Sequence, residues 1–173
     1  MKKIINKIFI VGITGSGKST FSEKLSHISK IPRYDLDWIY FVKGSFTKKV
    51  SIAKRRKKLI EILNKRKWII DGVYTTWTQD IFKKANLIIW LNPPFRILSL
   101  RIITRYIKKK IKRQCGEDET LKSTLNLVKV ASKYNIKGTR KYCKYEVLIN
   151  KHKANFVVLK NNREINNFLK NFK

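Results

Sequence analysis

Gly12-Ile13-Thr14-Gly15-Ser16-Gly17-Lys18-Ser19 sets glycines, a lysine and a hydroxyl at the spacing Gly-x-x-x-x-Gly-Lys-Ser. Glycine lacks a Cβ and enters positive φ, so successive N–H groups can turn inward on an anion. The apolar run Ile8-Phe9-Ile10-Val11 leads into the loop, and Thr20-Phe21-Ser22-Glu23-Lys24-Leu25 opens a helix whose positive end adds to the same site. This setting predicts a nucleoside triphosphate site. The backbone of residues 14–19, with Gly12 before it and Thr20 after it, wraps the phosphates. Lys18 reaches the β and γ phosphates, and the Ser19 hydroxyl takes one position on Mg²⁺.

Three carboxylates follow apolar runs downstream of that loop. Asp35 and Asp37 end the stretch Ile31-Pro32-Arg33-Tyr34-Asp35-Leu36-Asp37. Read as extended chain, residues i and i+2 point the same way, so both could face the loop's mouth. One would orient or deprotonate an acceptor while the other helps hold Mg²⁺ through water; the alternative is a turn or helix cap. Asp71 closes the strand-like Trp68-Ile69-Ile70, where a phosphate site places a carboxylate for Mg²⁺ and its waters, and Gly72 lets the chain turn close to a ligand. A plain Asp-Gly turn is the other reading. The chain has only 11 acids, which gives the coincidence of these three its weight. Beyond them, Tyr74, Thr75, Thr76 and Trp77 fall on an expected loop over the cleft. Arg101 and Arg105 share a helix face, either reaching a phosphate-rich site or standing as solvated charges. Asn161 and Asn162 lie in the turn after the last strand, as candidates for contact with a base.

The elements that must position these groups read as one α/β domain over residues 1–173. A helix over 18–29 is followed, after Pro32, by a short strand. The aromatic Trp38-Ile39-Tyr40-Phe41 lines an acceptor pocket or belongs to the core. Lys54-Arg55-Arg56-Lys57-Lys58 forms the wet face of an amphipathic helix carrying Ile52, Leu59, Ile62 and Leu63. Leu87-Ile88-Ile89-Trp90-Leu91 is a central strand stopped by Asn92-Pro93-Pro94, and Phe95 to about Arg113 is one long helix. Glu117-Asp118-Glu119 starts a new segment, with helices expected between Thr120 and Ile149. Residues 106–150 thus read as a helical lid insertion, before a last strand over 155–159 and a short helix over 164–171.

The formal charge is +30, and 31 of the 41 basic residues are Lys. A polyanion-binding face would attract nucleic acid; a Lys excess spread over the whole chain fits compositional drift as well, because phosphate recognition favours the Arg fork. No apolar stretch of about 18 residues could cross a bilayer, and the basic start Met1–Lys7 runs into a core strand, so no membrane association and no signal peptide are expected. Cys115 and Cys143 form no metal-ligand spacing and no disulfide framework, which predicts a cytoplasmic protein.

The stretches 12–19, 31–37 and 68–74, with 87–91 and the arginine-bearing helix, together resemble nucleotide-kinase-like P-loop proteins. Within them the chain is similar to the DNA topology modulation proteins, an adenylate-kinase-related group. The resemblance covers about the first 110 residues. It implies a three-layer α/β sandwich with a five-stranded parallel sheet, a helical lid, ATP·Mg²⁺ binding and phosphoryl transfer. The chain departs from the group in having Asp35 for a usual His, Asn92 for a usual Asp and Val73 for a usual Asn. Its Asp-x-Asp also resembles the pair in shikimate-kinase-like enzymes, whose acceptors are small hydroxylated molecules. The expected activity is transfer of the γ-phosphoryl of ATP to a nucleotide or small hydroxylated acceptor. Lys18, Asp35, Asp37, Arg101 and Arg105 would do the chemistry, Ser19 and Asp71 hold the metal, and Asp71, Gly72 and Tyr74 contact the acceptor. The alternative is a nucleic-acid-associated NTPase or regulator acting through the basic surface. Monomer and dimer stay open.

Overall fold

The computed structural model describes residues 5–42, 48–73, 77–116, 119–135 and 156–172, with Val147. Its strands are β1 (Lys7–Gly12), β2 (Arg33–Asp35), β3 (Trp68–Gly72), β4 (Leu87–Leu91) and β5 (Phe156–Leu159). They pair in parallel in the order β2-β3-β1-β4-β5. A parallel sheet needs both faces covered, and this one divides its side chains accordingly. Phe9, Val11, Trp68, Ile70, Ile88 and Trp90 face one layer; Ile8, Ile10, Ile69, Leu87, Ile89 and Leu91 face the other. The alternation is the period of two that any strand imposes.

Helices α1 (Lys18–Ser29), α2 (Leu36–Tyr40), α3 (Ile52–Leu63), α4 (Gln79–Lys84), α5 (Phe95–Ile111), α6 (Leu121–Asn135) and α7 (Asn162–Asn171) complete the described fold. Phe21, Leu25 and Leu169 bring α1 and α7 to one face, and Leu36, Ile39, Leu59, Leu63, Ile81 and Phe82 bring α2, α3 and α4 to the other. The three-layer α/β sandwich expected from the sequence is therefore present. Helix α6 packs on α5, with Leu98, Ile102 and Ala131 forming a third cluster around Ile13 of the glycine loop. Within the supposed lid, α6 is thus packed on α5 and against the loop through Ala131. Residues 136–155, apart from Val147, lie outside the described residues, as does Tyr74 with Thr75 and Thr76. Among the described residues no helix is long and apolar enough to cross a membrane.

One expectation is corrected here. The extended segment does not continue through Asp37: β2 stops at Asp35 and a short helix begins. The Asp35 side chain caps it, accepting from the Asp37 N–H at 2.9 Å. Leu36 and Ile39, three apart, then bury one face, and full burial of a leucine stabilises by about 1.5–3 kcal/mol. Helix α5 also ends two residues earlier than expected, since Arg113 takes a φ of 51°.

Candidate active site

Strand register brings the chemistry to one edge of the sheet. Ile10 pairs with Asp71 and Val11 with Gly72, while Asp35 of β2 is the register partner of Asp71. The carboxyl end of β1 lies between β3 and β4, the place where an open parallel sheet forms its ligand crevice. There the chain turns through Gly15 at φ 79° and Gly17 at φ 90°, conformations in which a Cβ is strained. Gly17 caps α1 without any side-chain hydrogen bond, and no acid stands in the first turn. The helix's positive end therefore has no side-chain cap of its own.

A cleft of about 410 Å³ opens over that helix end. Thr14, Gly15, Gly17, Lys18, Ser19 and Thr20 line it together with Asp35, Asp37, Asp71 and Val73 and with Arg101 and Arg105. The acids and arginines separated by up to 70 positions in the sequence thus converge on the loop. Gly12 lies beneath, at the end of β1, and Ser16 is fully buried. Gly72 does not line the cleft. A Cβ there would meet Leu36 Cδ1 at 2.6 Å, so the glycine makes room for α2 rather than for a ligand.

Lys18 Nζ donates to Ile13 O at 3.0 Å, folding back over the loop. Burial holds its ammonium below the usual lysine range; Asp37, Asp71 and Asp35 oppose that shift and Arg105 adds to it. The Asp35 carboxyl is displaced upward, first by burial and then by the Asp71 charge, with the Asp37 N–H and Arg33 offsetting part of it. Arg101 spans the cleft's rim: Nη1 donates to Ser16 O at 3.2 Å and Nη2 to Asn162 Oδ1 at 2.9 Å. It joins the loop to the start of α7, beside a second hollow of about 390 Å³ lined by Thr20, Lys24, Asn162 and Asn166. Asn162 thus stands beside the glycine loop, held there by Arg101. Asn161 is committed elsewhere, capping α7 through the Glu164 N–H at 2.9 Å.

Arg33 is the participant the sequence reading missed. Its Nε donates to Asp71 Oδ1 at 2.9 Å and to Ser22 Oγ at 2.6 Å, and Nη2 donates to Asp71 Oδ2 at 3.2 Å and Asp35 Oδ2 at 2.9 Å. One guanidinium therefore holds both register-paired carboxylates and ties them to α1. Burial works against its charge, but the hydrogen bond and charge of Asp71, with Asp35, outweigh it and raise its pKa. The signal was available: Arg33 and Asp35 alternate on one strand and must share a face.

The residues fit Mg²⁺ as an ion held chiefly by phosphates. Among the described residues no group of three or more His, Cys, Asp or Glu could cage a metal alone. Mg²⁺ at phosphate sites keeps waters and takes only one or two protein oxygens, and the exposed Ser19 with the partly buried Asp35 and Asp37 would supply those. Asp71 has both oxygens engaged by Arg33, so its contribution would run through water.

No protein-family profile and no curated protein matches the chain. Solved structures do. A shikimate kinase from Bacteroides thetaiotaomicron is 14% identical, covers 96% of each chain and has a TM-score of 0.51. A gluconokinase from Sinorhizobium meliloti 1021, also 14% identical, covers 98% of this chain and 94% of its own at 0.56. The shikimate kinase from Acinetobacter baumannii in complex with shikimate is 16% identical, covers 96% of this chain and 89% of its own, and reaches 0.52. The chain has the P-loop α/β fold of these kinases. The likeness carries the fold, and the narrower resemblance to topology modulation proteins has no match behind it.

Proposed function

We propose that the protein is an ATP-dependent phosphotransferase acting on a nucleotide or a small hydroxylated acceptor. The observation that carries this reading is the convergence of Asp35, Asp37 and Asp71 with Arg101 and Arg105 on the glycine-loop cleft. A site that merely binds polyanions gains nothing from three acids on its wall. The loop N–H groups and Lys18 would bind the triphosphate, and Arg105 with Arg101 would counter the charge spread over the transferring group. Ser19, with Asp71 through water, would hold Mg²⁺, which when bound supplies charge neutralisation at the β and γ oxygens. An acceptor oxygen bonds to the γ phosphorus as the bond to the β–γ bridging oxygen breaks and ADP departs. Asp37 would take the proton of an attacking hydroxyl.

The test is ADP release measured over a panel of nucleotides, nucleosides and sugars. Lys18→Ala is expected to cut acceptor-dependent turnover by about 10²-fold or more, with the melting curve retained. Full activity in that variant would sink the reading. The second reading, a nucleic-acid-associated NTPase, draws on the hollow of about 470 Å³ along α5 lined by Arg105, Lys108, Lys109 and Lys112. ATP hydrolysis stimulated by DNA, with no small acceptor raising it, would favour that reading.

A further inference from the structure

Helix α5 is apolar on two opposite faces. Leu98 and Ile102 turn inward and are buried in the cluster around Ile13. On the outward side Ile97, Leu100, Ile103, Ile107 and Ile111 recur at helical spacing, and Leu100, Ile107 and Ile111 are 62%, 48% and 76% exposed. A surface helix ordinarily presents polar groups there, and a helix that is apolar all round is normally covered on both sides. At about 1.5 Å per residue the stripe runs about 20 Å along the surface, a continuity that singly scattered apolar residues do not produce. The phosphate cleft uses none of these five side chains. Cations border them. By helical position Arg101 and Lys108 stand on one flank, where they line the hollow along α5 with Leu100, and Lys110 stands on the other. Helix α5 contains no acidic residue, and neither does α6, which packs on it. Glu119 approaches α5 but pairs with Lys109.

We infer that the outward face of α5 is a docking surface for an anionic lipid bilayer. The helix lies in the plane of the interface, with its aliphatic stripe at the boundary of headgroups and acyl chains and its flanking Lys and Arg on the lipid phosphates. Charge complementarity selects this occupant. A second copy seated on the same stripe would bring two basic, acid-free helices together, and like charges at close range repel. Nucleic acid would satisfy the cations, but its bases stack on aromatic rings and its backbone takes up charge, so it gains nothing from the leucine and isoleucines. An anionic bilayer takes both the cations and the aliphatic stripe. Lying on the surface does not require the helix to span, so the inference is compatible with the lack of any spanning helix among the described residues. It goes past the expectation of no membrane association, whose ground was the lack of a spanning stretch, and it is independent of the phosphotransferase reading.

Flotation of the full chain with phosphatidylcholine vesicles, and with the same vesicles holding about 30% phosphatidylglycerol, at about 150 mM salt tests it. Wild type is expected to bind the anionic vesicles roughly tenfold or more tightly than the neutral ones. A charge of +30 adheres to any anionic surface to some degree, so the deciding variant leaves charge untouched. Ile107→Gln combined with Ile111→Gln should lower affinity for the anionic vesicles roughly tenfold or more. Both sites are exposed and glutamine is a good helix former, so the melting temperature and ATP-analogue binding should match the wild type. Ile60→Gln, at an exposed isoleucine of α3, should float as the wild type does. Lys108→Gln combined with Lys110→Gln should weaken vesicle binding roughly tenfold or more. A double isoleucine variant that binds as the wild type does reduces the association to bulk charge and overturns the inference. It is overturned equally if that variant dissociates a dimer in sedimentation velocity, which makes the stripe a contact between copies. The same holds if the variant loses duplex-DNA affinity as steeply as vesicle affinity, which makes the surface a nucleic-acid one.

Discussion

Arg33 shows how one side chain sets the electrostatics of the cleft. Asp71 is 1% exposed and Asp35 is its register partner, so two like charges stand on adjacent strands. Without a cation between them one would have to take up a proton. Arg33→Met is expected to destabilise the fold by about 3 kcal/mol, the low end for stranding one partner of a buried pair, because Arg33 itself keeps 19% exposure. The sign with pH follows. Losing Arg33 removes a charge that offsets the upward shift of Asp35, so its native pKa stands further above the unfolded value, the native state binds more protons, and stability recovers as pH falls toward the ordinary carboxylate range. Urea melts of wild type and variant between about pH 4 and 7 measure it. A variant penalty independent of pH would mean that the loss is one of packing and not of charge.

At the scale of elements, the glycine loop depends on α5 as much as on its own glycines. A Cβ on Gly15 would stand 3.0 Å from Ile102 Cγ1 and 3.0 Å from the backbone oxygen of Leu98. The side-chain end could shift; the helix carbonyl could not without disturbing α5. Adding the strain of φ 79°, Gly15→Ala is expected to cost about 1–3 kcal/mol and to weaken binding of a fluorescent ATP analogue in parallel. Unchanged melting and unchanged binding would show that loop and helix are not seated on each other. The short helix α2 has a comparable double role. Its cap is Asp35 and its packing anchor is Leu36, which requires Gly72 opposite, so a change that loosens this contact moves Asp37 and Tyr40 together.

For the whole molecule, a charge of +30 guarantees attraction to any polyanion at low salt. The question is whether that attraction is specific. Duplex DNA is expected to bind at about 50 mM salt and to lose about 10³-fold or more in affinity by about 200 mM, with ATP making no difference. Fluorescence anisotropy over that range decides it. Binding that survives at the higher salt and that responds to ATP would assign the basic surface of α5 a role in the cell and weaken the small-acceptor reading.

The local sequence by itself determined what local chemistry can determine. Gly12 to Ser19 between an apolar run and a helix has one economical use, and the apolar runs at 68–70 and 87–91 are long enough to be central strands whatever surrounds them. Tertiary structure decided which distant groups meet. Whether Asp35 and Asp37 continue a strand or start a helix depends on Leu36 finding its space over Gly72, a contact 36 positions away. That Arg55 of an apparently solvated basic face lies against Tyr40 and Trp77 depends on how α3 docks, because periodicity marks a helix's wet side without saying what stands opposite it. Pairing across the sheet likewise brought Asp71 to the Arg33–Asp35 pair, since strand order is fixed by global packing and leaves no trace in the spacing of any one segment.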